Sequence, residues 1–370
     1  MIGATLTVAA ACTATKHPGG AHGGPGATRA FTLVASGDVL PHSSIIDKAN
    51  ADADGDGYDF VPMLSGARSV VSEADLAICH METVYGENGD YTGYPSFKSP
   101  PQIAHALKVT GYDACSTASN HTLDDGAAGV RRTLGALDKA GVKHAGSGRT
   151  AAEGKSPAWM SAGGAKVAQL AYTYGTNGAP QPEGKPWTVN LMERKRIVAD
   201  ARAARKAGAD VVVVSVHWGT EWQDTPDRRQ LRLAKRLTAS RTNGRPDIDL
   251  ILGTHAHVPQ AYEKVNGTWV IYGMGDQIAG DMINHEDEND PRGNQGTLGR
   301  FTFTPPASPG ARWKVKKAEF IPQWFNTATG RVTNLNAALD RGADVSAVRD
   351  RIRQVVLGRG AEEDGLQMGQ

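Results

Sequence analysis

The sequence predicts an α/β domain with mixed sheets over residues 31–330. Three observations carry this. Apolar runs of strand length alternate with stretches of helical period. Five of those runs end in short polar clusters: Gly37-Asp38, His80-Met81-Glu82, Ser119-Asn120-His121, His217-Trp218-Gly219 and Gly253-Thr254-His255-Ala256-His257. Beyond Gln260 the alternation gives way to a hairpin and further strands.

In chain order, residues 31–36, 76–79, 112–117, 166–172, 211–216 and 248–252 read as strands. Residues 103–109 read as a helix started by Pro100-Pro101, and 127–140 as one with Val130, Leu134 and Leu137 at helical spacing and Gly141 as its stop. Residues 191–207 form a basic amphipathic helix, and 228–238 a second helix leading back into the sheet. Asn266-Gly267 between 262–265 and 268–272 is a strong hairpin signal. Strands 298–303 and 313–321 follow, and 331–370 reads as a helix over 345–357 and a disordered polar tail.

Residues 1–30 are of another kind. The apolar start ending in Ala10-Ala11-Cys12 has the character of an export signal with a lipobox, although Ala9 stands where Leu is preferred. Its basic leader is missing, so the expected start lies upstream of Met1. The Gly-, Ala-, Thr- and Pro-rich stretch to residue 30 reads as a tether. The expected location is extracytoplasmic, at the cell envelope, anchored through Cys12.

Composition narrows the function. The chain has 370 residues, 40% hydrophobic and 21% charged, which suits a folded soluble domain. A net charge of +1 gives no field suited to nucleic acid. Three cysteines make no disulfide framework, and Cys79 and Cys115 read as buried thiols on core strands. Asp52-Ala53-Asp54-Gly55-Asp56-Gly57 imitates a calcium loop but has Met63 where the bidentate Glu is needed, so it reads as surface.

The five clusters carry the chemistry. Asp, Glu, Asn and His supply oxygen and imidazole ligands to divalent metals. Ligand types spread over more than 200 residues, each at a strand end, argue for one site assembled by folding. His80 and Glu82 share a face if extended, and His255 and His257 on an extended segment diverge little. Asn120 suits ligation through its amide oxygen or, alternatively, a helix cap, and His121 beside it suits an acid or anion-stabilising role. Trp218, Glu221 and Trp222 are candidates for lining the cleft.

The order Gly-Asp, x-x-Glu, Ser-Asn-His-x-x-Asp-x-Gly, His-Trp-Gly-x-Glu and Gly-x-His-x-His-x-x-Gln resembles the CapA/PgsA-type proteins of poly-γ-glutamate capsule biosynthesis, relatives of the calcineurin-like metallophosphoesterases. The likeness runs from Phe31 to Ile321, with Ile271-Tyr272-Gly273-Met274-Gly275 similar to a late strand-loop motif. It implies a four-layer α/β/β/α sandwich of metallophosphoesterase type. It also implies one or two divalent ions (Mn, Zn, Fe or Mg) held by Asp38, Glu82, Asn120, His217, His255 and His257, with His121 catalytic. Two departures stand out: no His follows Asp38 at the second position, and Glu82 replaces a bridging Asp. His80 from the neighbouring strand or His42 from the loop is expected to compensate; failing both, a second metal would bind weakly. The implied role is metal-dependent hydrolysis of a phosphoester or amide bond in an anionic polymer or its precursor, alongside membrane-bound synthesis partners. The alternative is a metal-bearing accessory module without turnover.

Overall fold

The protein is described by a computed structural model covering residues 28–370 apart from Gly55 and Pro309. The signal-like segment and Cys12 lie outside these residues.

Two sheets form the centre. In the first, Phe31–Val39, Leu76–Met81, Ala114–Ser116 and Lys143–Ala145 run parallel. On the other flank, Gln295–Thr304, Lys314–Asn326 and Arg331–Asn334 are added antiparallel. The second sheet has Ala165–Thr173, Val211–His217, Leu250–Thr254 and Thr268–Ile271 parallel. Antiparallel Ala158–Ala162 and Tyr262–Val265 close its edges. Both sheets are mixed, as expected.

Three apolar clusters separate four layers. Leu33, Ile78 and Phe301 of the first sheet pack with Val211, Val213 and Leu252 of the second, which sets the sheets face to face. The opposite face of the first sheet, with Val34 and Ala77, meets Ile45, Val71, Ile103 and Leu107 of helices Ser43–Asp52, Ser65–Ser72 and Gln102–Thr110. On the outer side of the second sheet, Val212, Val214 and Ile251 meet Ile197, Ala201, Ala234 and Leu237 of helices Arg194–Lys206 and Arg228–Thr238. The result is an α/β/β/α sandwich. Period-2 burial fails in Val211–His217 because both faces are covered, which is why its sequence is a continuous Val run.

The structure departs from the sequence reading in three places. The strands run further than expected, so Asp38 and His217 lie inside Phe31–Val39 and Val211–His217 rather than after them. The C-terminal tail is not loose: Leu366–Met368 pairs in parallel with Lys314–Asn326, and Arg331–Asn334 also joins the first sheet. The sheet domain therefore continues past residue 330. Cys79 and Cys115 are bridged, not free thiols. They are register partners on adjacent parallel strands with Cα atoms 4.4 Å apart, within the range a disulfide spans. Among the described residues no helix is long and apolar enough to cross a membrane.

Candidate metal centre

Asp38 is placed by an irregularity in its strand. The register with Leu76–Met81 shifts between Ala35 and Asp38, and again on the side facing Asp276–Ile278. Such bulges re-aim side chains. Gly37 lets this happen, because a β-carbon there would overlap the Gly275 carbonyl. In the resulting register Asp38 lies between His80 on one neighbouring strand and Asp276 on the other.

The second sheet delivers the histidines. His217 is paired with Thr254 across adjacent strands, and its Nδ1 lies 3.0 Å from the Thr254 hydroxyl. Its Nε2 is 2.8 Å from Asn120 Oδ1 and 3.6 Å from Glu82 Oε1. The expectation that His255 and His257 share an extended segment is corrected. The strand ends at Thr254, and the bend that follows holds His255 at φ 93° and His257 at φ 57°. Left-handed backbone is unusual away from glycine and gathers at functional sites. The bend puts the His255 ring 4.7 Å from that of His217 and 5.9 Å from that of His257.

Side chains from both sheets thus meet in one buried cluster. Asp38, His80, Glu82 and His217 offer atoms within 4.8 Å of one another, as do Glu82, His255 and His257, and Asp38, His257 and Asp276. These sets overlap at Asp38, Glu82 and His257. Asp276 was missed in the sequence; its signal was a second Gly-Asp pair, Gly275-Asp276, after an apolar run. His80 supplies the partner for Asp38, with Nε2 3.6 Å from Oδ1 and its Nδ1 2.7 Å from Ser116 Oγ. His42 packs edge-on against Phe97 instead.

The electrostatics are those of a site built for positive charge. Burial, then the neighbouring Asp276 charge, holds the Asp38 carboxyl well above the usual range, and burial with Asp38 does the same to Glu82. Burial pushes Asp276 up to about 6. It pushes His80 down to about 3 and lowers His217 and His255 as well. Of the four cluster histidines only His257 rises, since the burial that would lower it is outweighed by the attraction of Asp276, Glu82 and Asp38.

Whether the residues fit a metal is tested by their unmet polarity. Six buried atoms of the cluster have no hydrogen-bond partner: Asp38 Oδ1, His80 Nε2, both Glu82 carboxylate oxygens, His255 Nδ1 and Asp276 Oδ2. Buried polar atoms are almost always satisfied, and an unmet carboxylate is costly. These residues fall into three overlapping groups, so one or two cations among them would relieve these deficits. The set can hold a divalent ion.

Around the cluster, His121 Nδ1 lies 2.7 Å from Asp124 Oδ2, and its Nε2 is 3.5 Å from Asn177 Nδ2 at the exposed side. Glu221 Oε1 lies 3.9 Å from His255 Nε2, and the Trp222 ring 6.3 Å from that of His257. Trp218 is buried in the outer-layer cluster, its indole donating to the Tyr272 carbonyl, and it borders a cavity also lined by Tyr174 and Arg229. Tyr174, 4.5 Å from His255 ring to ring, had no signal in the sequence. In the calcium-loop imitation Asp54, Asp56 and Gly57 are exposed, and the Asp52 carboxylate accepts from Arg331 at 2.8 and 3.0 Å.

Residues 32–281 match the family described as bacterial capsule synthesis protein PGA_cap. The chain belongs to that family. The capsule biosynthesis protein CapA of Bacillus anthracis is 29% identical over 180 residues, 48% of this chain and 42% of that protein. The PGA biosynthesis protein CapA of Bacillus subtilis is 29% identical over 174 residues, 46% and 44%. A Mycobacterium tuberculosis relative named "Probable polyglutamine synthesis accessory protein" is 24% identical over 216 residues, 55% of each chain. The matched part of this chain spans about half the length of these relatives. A calcineurin-like phosphoesterase structure from Bacillus subtilis superposes with a TM-score of 0.49 at 13% identity, covering 88% of this chain and 98% of that one.

Proposed function

We propose that this PGA_cap protein is a metal-dependent hydrolase that acts outside the cytoplasm on an anionic polymer such as poly-γ-glutamate, or its precursor, in capsule synthesis, export or processing. The observation that carries the reading is the group of six buried, unpartnered ligand atoms at the junction of the two sheets. The relatives' names supply the polymer.

Asp38, His80, Glu82, His217, His255, His257 and Asp276 would hold one or two divalent ions, with Asn120 beside them, and mixed imidazole and carboxylate ligands suit Zn, Mn or Fe, with Mg the harder alternative. When bound, such an ion polarises the scissile P–O or C–N group and lowers the pKa of water. The chain's own part centres on His121. Asp124 fixes the ring through Nδ1 and leaves Nε2 toward the mouth. Hydrolysis places the hydroxyl of water on one product and its remaining proton on the other; His121, whose Nδ1 faces Asp124, takes that proton at Nε2 and passes it to the departing oxygen or nitrogen. Glu221 and Trp222 stand beside the histidines, where substrate would pass.

An extracytoplasmic, lipid-anchored location is part of the proposal. The segment ending at Cys12 and the Cys79–Cys115 bridge support it, since disulfides persist in oxidising compartments.

A second reading, a metal-bearing accessory module of the synthesis complex without turnover, is favoured by how closed the cluster is: His255, His257 and His121 are 3%, 6% and 6% exposed. A screen of phosphoesters and γ-glutamyl amides with metal-loaded protein separates the two. Turnover that disappears on chelation supports the hydrolase; polymer binding with no turnover of any substrate supports the module.

A further inference from the structure

A cavity of about 410 Å³ opens next to the metal centre, at the outer end of the second sheet. Its walls come from the segments that follow the site strands. Arg194 starts one helix, and Arg229, Arg232 and Arg236 line a second, Arg228–Thr238. Tyr174 belongs to both places: it lines this cavity, and its ring lies 4.5 Å from that of His255 and 6.4 Å from that of His217. The cavity therefore runs into the catalytic edge.

The arginines are arranged as a stripe. Spacings of three and four put Arg229, Arg232 and Arg236 on one helix face, over two turns or about 10 Å of axis. All four guanidinium groups are on exposed residues, and none has an acidic or hydrogen-bonding partner among the described residues. On the neighbouring helix, by contrast, Arg196, Arg202 and Arg205 pair with Asp200, Asp247 and Asp249. The one acid in the cavity lining, Asp227, is engaged as the helix cap, accepting from the Arg229 and Gln230 amides. A cluster of like charges left without counter-ions beside a cleft is a surface suited to an anionic ligand.

We propose that this groove is the polymer subsite: it holds an extended polycarboxylate chain and leads one of its linkages past Tyr174 to the metal centre. This rests on the polymer reading given above. Arginine forks match carboxylate and phosphate alike. Charges spread along two turns suit a ligand carrying one charge per repeat, whereas a single phosphate is better met by donors converging on a point.

The test uses the full chain and reads binding alone. Fluorescence anisotropy of labelled poly-γ-glutamate at low salt compares wild type with R229E/R232E/R236E, with the neutral set R229Q/R232Q/R236Q, and with K139E/K155E/K316E, which makes the same charge change elsewhere on exposed positions. The Glu set is expected to weaken binding about tenfold, the Gln set less, and the distant set by no more than about twofold. Polyphosphate of equal charge is the second probe; on the polymer reading given above, rather than from the arginines themselves, it is expected to compete less well than unlabelled poly-γ-glutamate. Equal weakening by groove and distant sets, unchanged binding in both groove sets, or stronger competition by polyphosphate overturns the proposal. The Gln set, which adds no repulsion, decides the matter should the Glu set misfold. Because no turnover is read, absence of hydrolysis counts against the hydrolase reading only.

Discussion

The Asp38 carboxylate, at the end of a strand in one sheet, accepts the backbone N–H of His255, beyond a strand of the other, at 3.0 Å. The same residue is therefore an inter-sheet tie and a ligand candidate, and its two oxygens divide the work. Oδ2 takes the amide, while Oδ1 has no hydrogen-bond partner.

Asp38→Asn separates these tasks. The amide oxygen can still accept from His255, and the change removes a buried charge that Asp276 repels. The metal-free variant should melt at or above the wild-type temperature while its metal affinity weakens at least about tenfold, as expected for a lost ligand. Thermal melts and metal titration of the two proteins check this. A destabilised variant with intact affinity would show that Asp38 is a structural tie only.

Metal stabilisation should grow with pH. A carboxylate must lose its proton before it can ligate. Asp276 is pushed up to about 6, and Asp38 and Glu82 are also raised. The sign for the metal-free protein is opposite: a folded-state pKa above the unfolded value gives stability that is present at low pH and lost as pH climbs through it. The melting-temperature gain on adding Mn or Zn should thus increase between about pH 5 and pH 7. A gain that shrinks over that range would refute the assignment of these carboxylates.

His121→Ala should leave metal content near wild type and lower any hydrolysis about 10²–10⁴-fold, the usual contribution of an acid–base group. Asp124→Asn should act in the same direction with a smaller loss, because it releases the ring without removing it. Steady-state kinetics with parallel metal analysis make the comparison. Loss of metal in His121→Ala would move this residue into the ligand set.

How much of this could be read from the sequence depends on what kind of contact decides it. The four-valine run before His217 announces a strand covered on both faces, and polar clusters ending such runs announce a site at strand ends. Local patterns were enough there. Strand neighbours are a different matter. That Cys79 lies opposite Cys115, or that Asp38 lies between His80 and Asp276, follows from register, which only tertiary packing sets. The same holds for Leu366–Met368, whose polar surroundings conceal a strand completed by Lys314–Asn326. The bend at His255 and His257 was hidden for another reason: neither residue is a glycine, and nothing local favours positive φ there.

Metal binding at the junction of the two sheets is the property on which the proposed chemistry depends. The most direct measurement is elemental analysis by mass spectrometry of full-length protein purified without chelator, beside His255→Ala prepared in the same way. Wild-type protein is expected to carry about one or two divalent ions per chain, removable by chelator and restored by dialysis, and the variant to show a marked loss of metal. Wild-type protein that neither carries nor takes up metal, or a His255→Ala variant that retains the full complement, would show that these side chains do not form a metal site.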